Sequence, residues 1–407
     1  MKQYLFPANI LLPKESVDPS RYSVIACDQF TSEPAYWSAV EDVVGDAPSA
    51  LRLTLPEVYL EDNKRERVAA INEAMRTYAD THLCEYADAM ILVRRTDSVG
   101  GERLGIVAAI DLEEYSYERR TDAAIRATEG TVLERIPPRV EIRRDALLEL
   151  PHVMLLIDDR ARTVIEPIAA KMTTPLYNFD LMLGGGHITG YLLDKGMQKE
   201  VTRAMDALAE NAAFPFAVGD GNHSLASAKA HYEAIKASLG DAAKDHPARF
   251  ALVEIVNLHD DSLSFEPIYR VVFGADADEL FSAIEGDMEN GTAENPAAVL
   301  HCIYGGGERT LTYPHGTHSL TVGTLQKFLD GYCASHPEVR IDYIHGEDSL
   351  ATIVAENAGA IGFLFDGMKK EELFPAVAAD GALPRKTFSM GHAKDKRYYL
   401  EARRIKA

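Results

Sequence analysis

The amino-acid sequence predicts a mixed α/β fold, of the α/β or α+β type. Short apolar runs of strand length alternate along the chain with segments whose apolar residues recur every three or four positions, which is the pattern of amphipathic helices. Three pairs of apolar runs also enclose glycine clusters, a pattern typical of β-hairpins. With 407 residues, 46% hydrophobic and 26% charged, the chain is long enough for two or three globular domains.

These patterns predict the elements in order. Short apolar runs bounded by Gly, Pro, Asn or Asp are expected to be strands, and longer periodic segments to be helices. The predicted strands are residues 22–27, 89–95, 104–110, 153–157, 181–183, 188–189, 215–218, 250–258, 300–304, 310–313, 341–344 and 360–365. The predicted helices are residues 63–79, 145–150, 197–211, 224–237, 322–332 and 349–356. The glycine clusters expected to end hairpins are Gly100-Gly101, Gly184-Gly185-Gly186 and Gly305-Gly306-Gly307.

The chain is expected to divide into three parts. Residues 1–117 form an N-terminal α+β unit, residues 118–270 a middle domain, and residues 271–407 a C-terminal α/β unit. Pro137-Pro138 is expected to interrupt the middle part near its start.

Charge and composition exclude several classes of partner. The 63 acidic and 42 basic residues give a formal charge of -21, which repels phosphate backbones, so no nucleic-acid partner is expected. No apolar run approaches the ~20 residues of a membrane span, and the N-terminus has no apolar segment typical of a signal peptide. The four cysteines form no CxxC pair and are expected to be reduced thiols. We therefore expect a cytoplasmic protein with a small-molecule partner, and leave a homo-oligomer open.

The segment richest in chemistry is Phe216–Ser224, a predicted strand, a glycine turn and a helix start. Gly219 and Gly221 allow a sharp turn and a close approach of a ligand, and the start of the helix offers unsatisfied N–H groups to an anion. The polar side chains there are those of Asp220, Asn222, His223 and Ser224. Alternatively, Asn222 or Ser224 simply caps the helix.

The same segment permits a metal-dependent alternative. Its Gly-Asn-His string is one that dinuclear metallophosphatases use to hold a phosphate, although two metals require several further ligands. His187 and His392, each preceded by a glycine, are the loose partners for such a site.

Three other polar segments are candidates. Glu129 lies in Arg126–Thr131, and Arg270 ends the segment Ser264–Arg270. The third is a basic run at residues 384–397, which either binds an anion or is a solvated terminal strand.

Over nearly its whole length the chain resembles a bacterial and archaeal family, domain of unknown function 1015. Thr128-Glu129-Gly130-Thr131 resembles its histidine-glutamate-x-threonine element, and Asp220–Ser224 resembles its Asp-Gly-His-His-Arg element. Pro267–Arg270 resembles its Pro-x-His-Arg strand end, and Pro384–Thr387 its Pro-x-Lys-Ser-Thr element.

The central part of that family is similar to ParB N-terminal domains, sulfiredoxin and free serine kinases. The resemblance implies a ParB/sulfiredoxin-like middle domain whose Asp220–Ser224 turn holds nucleotide phosphates. It also implies that Glu129 acts as the base on a substrate hydroxyl. His187 resembles a family position and is a weaker candidate, with a turn histidine as the alternative.

Two departures from the family element change the side chains that the turn can use to bind phosphate. Asn222 replaces its first histidine, and Ser224 replaces its arginine. Because a hydrogen bond to a charged group is worth roughly 1.5–3 kcal/mol, a kinase would need a substitute cation. Arg270 and Lys386 are the first candidates to lie near the turn, and Lys394 and Arg397 are the others.

The leading hypothesis is therefore a nucleotide-dependent phosphotransferase acting on a small hydroxylated metabolite, with free serine or phosphoserine as candidates. It would use ADP or ATP and Mg²⁺, with Asp220 as the metal ligand. Glu129, Asp220 and His223 would be catalytic. Gly219, Gly221, Asn222, Ser224, Arg270 and Lys386 would bind the nucleotide. The alternatives are a non-catalytic nucleotide or metabolite sensor and a metal-dependent phosphohydrolase.

Overall fold

The computed structural model describes residues 2–60 and 62–406, and its strands and helices alternate in the mixed α/β pattern that the sequence predicts. The chain divides into two units. The first unit takes in the chain up to Ala127, Thr131–Leu263, and the chain from His392 onward. The second takes in Thr128–Gly130 and Ser264–Gly391. This grouping differs from the three-part division, which stays a prediction.

The strands range from two to ten residues. They are β1 (Ala8–Pro13), β2 (Val24–Ile25), β3 (Leu83–Ala89), β4 (Ile91–Thr96), β5 (Glu102–Asp111), β6 (Tyr115–Ser116), β7 (Ile125–Ala127), β8 (Leu148–Glu149), β9 (Met154–Ile157), β10 (Tyr177–Asp180), β11 (His187–Leu192), β12 (Phe216–Asp220), β13 (Phe250–Asn257), β14 (Phe265–Phe273), β15 (Ala298–Tyr304), β16 (Gly307–Tyr313), β17 (Arg340–His345), β18 (Ile361–Leu364), β19 (Phe388–Met390), β20 (Tyr398–Tyr399) and β21 (Arg403–Arg404).

The α-helices are α1 (Pro19–Tyr22), α2 (Pro34–Val44), α3 (Lys64–Thr81), α4 (Ile136–Arg144), α5 (Glu166–Ala169), α6 (Lys195–Glu210), α7 (Asn222–Leu239), α8 (Ala277–Asp287), α9 (Thr321–Ser335), α10 (Glu347–Glu356) and α11 (Leu373–Asp380). No helix among the described residues is long and apolar enough to cross a membrane.

The first unit is built on a nine-stranded mixed sheet with the order β10-β11-β4-β5-β13-β9-β12-β7-β6. β13 is parallel to β9, and β12 is parallel to β7, whereas β12 and β9 are antiparallel. The central strand β13 is buried along almost its whole length, because its nearly continuous apolar sequence suits a strand covered on both faces.

Two hydrophobic clusters lie on the two faces of this sheet. Successive side chains of a strand point to opposite faces, so Val107 of β5 joins one cluster while Ile106 and Ala108 join the other. Helices α6 and α7 pack on the Ile106 face through residues such as Val201 and Leu225. Each fully buried Leu, Val or Ile contributes roughly 1.5–3 kcal/mol.

The end of the chain is anchored in the first unit by buried ion pairs. Arg397 is only 3% exposed in its side chain and pairs with Glu254 of β13 and with Glu401, the latter at 2.5 Å. Its Nε also donates to the Pro151 carbonyl at 3.0 Å. Each buried charge therefore has opposite charges and hydrogen-bond partners, which is what burial of a charge requires.

The second unit is built on a six-stranded antiparallel sheet. Its order is β16-β15-β18-β14-β17, and β19 pairs with one end of β14. The buried side chains of its helices include Phe281 and Ile284 of α8, Leu325 and Leu329 of α9, and Leu350 of α10.

Most predicted elements are confirmed by elements of the same type at nearby residues. The glycine clusters at residues 100–101 and 305–307 lie in the hairpins β4–β5 and β15–β16. The third cluster also lies between antiparallel strands, but the incoming strand is β10 and not residues 181–183, because Met182–Gly184 forms a 3₁₀ turn.

The predicted helix at 145–150 is wrong. The helix is α4, and Leu148–Glu149 is a strand that pairs with β21. Pro137-Pro138 lies at the start of α4, where a missing N–H costs nothing, so the prolines begin the helix rather than interrupt it.

Replacing Arg397 is expected to destabilise the protein strongly. Arg397→Met leaves the buried carboxylates of Glu254 and Glu401 without their common partner, and breaking such a pair costs about 3–5 kcal/mol. Urea unfolding measures the change. Arg76→Ala, which removes an exposed pair with Glu73, is the control and should change the free energy of unfolding by less than about 1 kcal/mol. Equal losses in the two variants would contradict this role of Arg397.

The buried ring of His231 in α7 is expected to make the protein less stable in acid. Burial, together with Arg143, His246 and Lys406, lowers the pKa of His231 from 6.5 to about 4. The unfolded chain therefore binds a proton first, so the stabilising effect is complete above 6.5 and is lost as the pH falls towards about 4. Urea midpoints measured across this range should fall more steeply for the wild type than for His231→Gln, and parallel curves would refute the assignment.

Candidate functional site

The junction between β12 and α7 has the strand–turn–helix form that the sequence predicts. β12 ends at Asp220, and α7 begins at Asn222. Gly221 between them has a φ of +79°, a left-handed conformation that is unfavourable for residues other than glycine. A Cβ atom on Gly221 would lie 3.0 Å from the Val153 Cα atom. The sequence therefore needs glycine here for its conformation and for close packing.

The N-cap position of α7 carries no capping side chain. Its N-cap residue is Gly221 and not Asn222 or Ser224, and no side chain at that position accepts a hydrogen bond. An 18-residue helix with such an N-terminus presents amide donors and the positive end of its dipole, an arrangement that suits an anion.

A lysine from the end of the chain lies beside this turn. The Nζ atom of Lys396 is 3.6 Å from Oδ2 of Asp220, and both side chains are mostly buried, with exposed fractions of 15% and 17%. The other oxygen, Oδ1, accepts a hydrogen bond from the Gly221 N–H at 3.1 Å. The turn thus carries both a fixed carboxylate and a local cation.

His223 lies in the first turn of α7 as a neutral ring. Its Nε2 atom accepts a hydrogen bond from the Val132 N–H at 3.2 Å. Burial, with Arg139 and Arg135, lowers the pKa of His223 below its usual value, against an opposing effect of Asp28. The neutral ring then carries its proton on Nδ1. In this geometry the remaining ring nitrogen is a hydrogen-bond donor rather than a base.

Three other predicted elements meet within the second unit. Thr128–Gly130 pairs with Leu383, since the Leu383 N–H donates to the Thr128 carbonyl at 2.7 Å. Arg270 of β14 donates to the Lys386 carbonyl at 2.9 Å and to Gln326 Oε1 at 3.0 Å.

Within this group Arg270 is fully buried. Burial lowers the pKa of Arg270 to about 10, although Tyr343 and Glu129 favour its charge. Its guanidinium is engaged by protein acceptors, whereas Lys386 is exposed. Glu129 thus lies near a buried arginine.

The predicted site residues therefore fall into two groups. Gly219, Asp220, Gly221, Asn222, His223 and Ser224 belong to the first unit, and Glu129, Arg270 and Lys386 belong to the second. Their convergence on one pocket, including the approach of Arg270 or Lys386 to Asp220, stays a prediction.

The weaker candidates differ in their surroundings. His187 is partly exposed at the β10–β11 hairpin, with Nδ1 2.5 Å from Asp180 Oδ1. Lys394 is exposed, and Arg397 is held by buried carboxylates.

Sequence reasoning missed Lys396 and also Asp28, which neighbours it. Lys396 lies inside the basic run at residues 384–397, but nothing local distinguishes it from its basic neighbours. Asp28 directly follows the predicted strand 22–27, and this strand-end position is the same signal that drew attention to Asp220.

The side chains that could bind a metal ion are dispersed along the described residues. In the part of the chain that the structure describes, no group of three or more His, Cys, Asp and Glu side chains could hold a metal ion. Mg²⁺ often binds through one or two carboxylates together with substrate phosphates and waters, and Asp220 fits that more limited role.

Substituting Gly221 is expected to cost more than substituting a glycine in an open turn. Gly221→Ala incurs the left-handed conformational cost of about 1–2 kcal/mol and also the contact with Val153. Gly100 has a φ of +93° but no atom within 4 Å of an added Cβ, so Gly100→Ala incurs the conformational cost alone. Urea unfolding compares the two free energies, and equal losses would contradict the close packing at Gly221.

Comparisons with known proteins place this geometry in context. A conserved hypothetical protein from Pyrococcus furiosus is 12% identical, with a TM-score of 0.37, and the match covers 74% of this chain and 95% of that one. A free serine kinase in complex with AMP is 10% identical, with a TM-score of 0.40 and coverages of 74% and 91%. C-terminally truncated SbnI from Staphylococcus aureus is 11% identical, with a TM-score of 0.34 and coverages of 70% and 82%.

Family membership rests on the sequence itself. Among curated proteins no match is found. The model of the family described as "Protein of unknown function (DUF1015)" matches residues 7–332, which is well over half of the chain. The chain therefore belongs to this family.

Proposed function

We propose that the protein is a nucleotide-dependent phosphotransferase that acts on a small hydroxylated metabolite, with free serine or phosphoserine as the candidates. The observation that carries the proposal is the glycine-capped N-terminus of α7 with the Lys396 ammonium 3.6 Å from the Asp220 carboxylate. The nucleotide would be ADP or ATP, as the resemblance to free serine kinases implies.

The phosphate-binding role follows from the groups at the turn. The N–H groups of the first turn of α7 donate to phosphate oxygens, and the helix dipole adds about 0.3–2 kcal/mol. Lys396 supplies the positive charge that the element lost when serine took the place of arginine at residue 224. The neutral ring of His223 donates through Nδ1. Gly221 lets the backbone come close enough for these contacts.

The chemical step needs a base and charge neutralisation. The assignment of Glu129 as the base that takes the proton of the substrate hydroxyl rests on the family resemblance. Mg²⁺ bound with the nucleotide would offset charge on the transferred phosphoryl group, with Asp220 as a carboxylate ligand.

A non-catalytic nucleotide or metabolite sensor is the second candidate. The specific observation in its favour is that the acceptor nitrogen of His223 is already engaged by the Val132 N–H, so this histidine does not serve as a base as it stands. The metal-dependent phosphohydrolase lacks a comparable observation, since the described residues offer no cluster of ligands for two metals.

Incubating the pure protein with ADP or ATP, Mg²⁺ and serine should yield phosphoserine. Glu129→Gln should retain nucleotide binding and lose product formation, because the amide keeps the shape of the side chain but cannot accept the proton. Binding by the wild type without turnover of serine or any other small alcohol favours the sensor. Absence of both binding and turnover refutes the phosphotransferase and the nucleotide sensor.

Lys396→Ala should weaken binding of ADP or ATP by about tenfold or more, the value of one hydrogen bond to a charged group. Calorimetry with Mg²⁺ present measures the dissociation constant. Lys229→Ala is a matched control, because the Lys229 side chain in α7 is 16% exposed and is also paired with a carboxylate. Similar weakening in both variants, or none in Lys396→Ala, would contradict the role of Lys396.

A further inference from the structure

A second polar cluster lies in the first unit close to Lys396. It consists of Asp28, His152 and Tyr399, called here the Asp28 cluster. Asp28 Oδ2 lies 3.7 Å from His152 Nε2, and His152 Nδ1 lies 2.9 Å from the Tyr399 hydroxyl. His152 and Tyr399 are buried, and Asp28 is partly buried.

Strand pairing brings the members of this cluster together. β2 and β20 are antiparallel, with Val24 opposite Tyr399, and the Ala26 N–H donates to the Arg397 carbonyl at 2.9 Å. Asp28 comes shortly after β2, and Lys396 comes shortly before β20. Both residues therefore lie at the same end of this antiparallel strand pair. His152 is brought to the same place just before β9, the neighbour of β12 in the sheet.

The hydrogen bonds of the cluster have a defined direction. The Tyr399 hydroxyl accepts from the Cys27 N–H at 3.1 Å, so its own hydrogen is available for His152 Nδ1. The other ring nitrogen of His152, Nε2, faces Asp28. Gln29 Nε2 donates to Asp28 Oδ1 at 3.0 Å, while Asp28 Oδ2 faces His152 Nε2 at 3.7 Å.

Asp28 is a second acidic side chain in the neighbourhood of Lys396. Burial opposes its charge, but His152, Gln29 and Lys396 together lower the pKa of Asp28 below its usual value. The group is therefore ionised at neutral pH. The Lys396 ammonium thus lies 3.6 Å from the Asp220 carboxylate and close enough to Asp28 to favour its charge.

We infer that Asp28 is a positioning residue of the phosphate site, which together with Asp220 holds the Lys396 ammonium beside the first turn of α7. His152 and Tyr399 fix the orientation of Asp28. The inference rests on the proposed function for what Lys396 binds, and on the strand pairing and the Asp220 ion pair for how Lys396 is held.

The direction in which Asp28→Asn changes the affinity for ADP distinguishes a positioning role of Asp28 from a simple effect of its negative charge. If Asp28 acted only through its negative charge, Asp28→Asn would tighten binding of an anion, because a repulsive charge is gone. If Asp28 positions Lys396, the same change weakens binding of ADP with Mg²⁺, by roughly threefold to tenfold. Tighter or unchanged binding overturns the inference when the wild type binds ADP.

Two further variants guard against a folding defect. His152→Gln keeps the charge of Asp28 but removes the ring that orients it, and it should weaken ADP binding in the same direction. Asp28→Glu keeps the charge and should bind more tightly than Asp28→Asn.

The first unit offers a closely matched control in another aspartate–histidine pair. Asp158 Oδ1 lies 2.6 Å from His259 Nε2, and the Asp158 side chain is 28% exposed, the same fraction as Asp28. Asp158→Asn should leave ADP binding unchanged, and a loss like that in Asp28→Asn would point to a general effect of removing an acidic residue.

A measurement without nucleotide keeps this inference separate from the proposed function. The rate at which an amine-selective reagent modifies Lys396, followed by peptide mass spectrometry, should rise roughly threefold to tenfold in Asp28→Asn and His152→Gln. It should stay unchanged in Asp158→Asn. An unchanged rate in Asp28→Asn overturns the inference. A wild type that binds no ADP refutes the proposed function, and the modification rates still decide how Lys396 is held.

Discussion

The first unit depends on the buried ion pairs of Arg397 with Glu254 and Glu401. Moving these charges out of water costs several kcal/mol per ion, which only mutual attraction and good hydrogen bonds offset. The ion pairs are therefore favourable only when Arg397 lies in one position relative to Glu254 and Glu401. It fixes the C-terminal segment against β13, at the centre of the nine-stranded sheet.

This anchor also determines where Lys396 points. Lys396 is in an extended conformation, with φ −66° and ψ 166°, and neighbouring side chains of an extended segment point to opposite sides. Because Arg397 is directed into the core, Lys396 is directed away from it, towards Asp220. A structural ion pair and a candidate ligand-binding cation are thus coupled through one peptide unit.

How much the sequence could predict depended on how local each feature is. β12, Gly221 and the start of α7 follow from an apolar run, a glycine and a helix-forming segment that are adjacent in the chain, so the turn was found at the right residues. The pairing of Lys396 with Asp220 joins residues far apart in sequence, and no local pattern indicates it. The α4 error was also local, because two prolines suit a helix start as well as a break.

The basic run at residues 384–397 shows why composition alone could not assign roles. Arg397 lies in it yet is buried, while Lys394 is exposed and Lys396 lies at the turn. Tertiary contacts alone separate these three uses of positive charge.

Local charge sets the balance that an anion would meet at this turn. Asp28 and Asp220 are the carboxylates near Lys396, and Arg135 and Arg139 lie close enough to lower the pKa of His223 in the first turn of α7. At an effective dielectric constant of about 20, a phosphate charge about 4 Å from one carboxylate is opposed by roughly 4 kcal/mol, and a cation at the same distance offsets about as much. On the proposed function, a nucleotide that arrives with a divalent cation would bring further positive charge to this balance. The placement of Lys396 beside the helix N-terminus would then decide whether the contact with phosphate is favourable, because the two carboxylates oppose it.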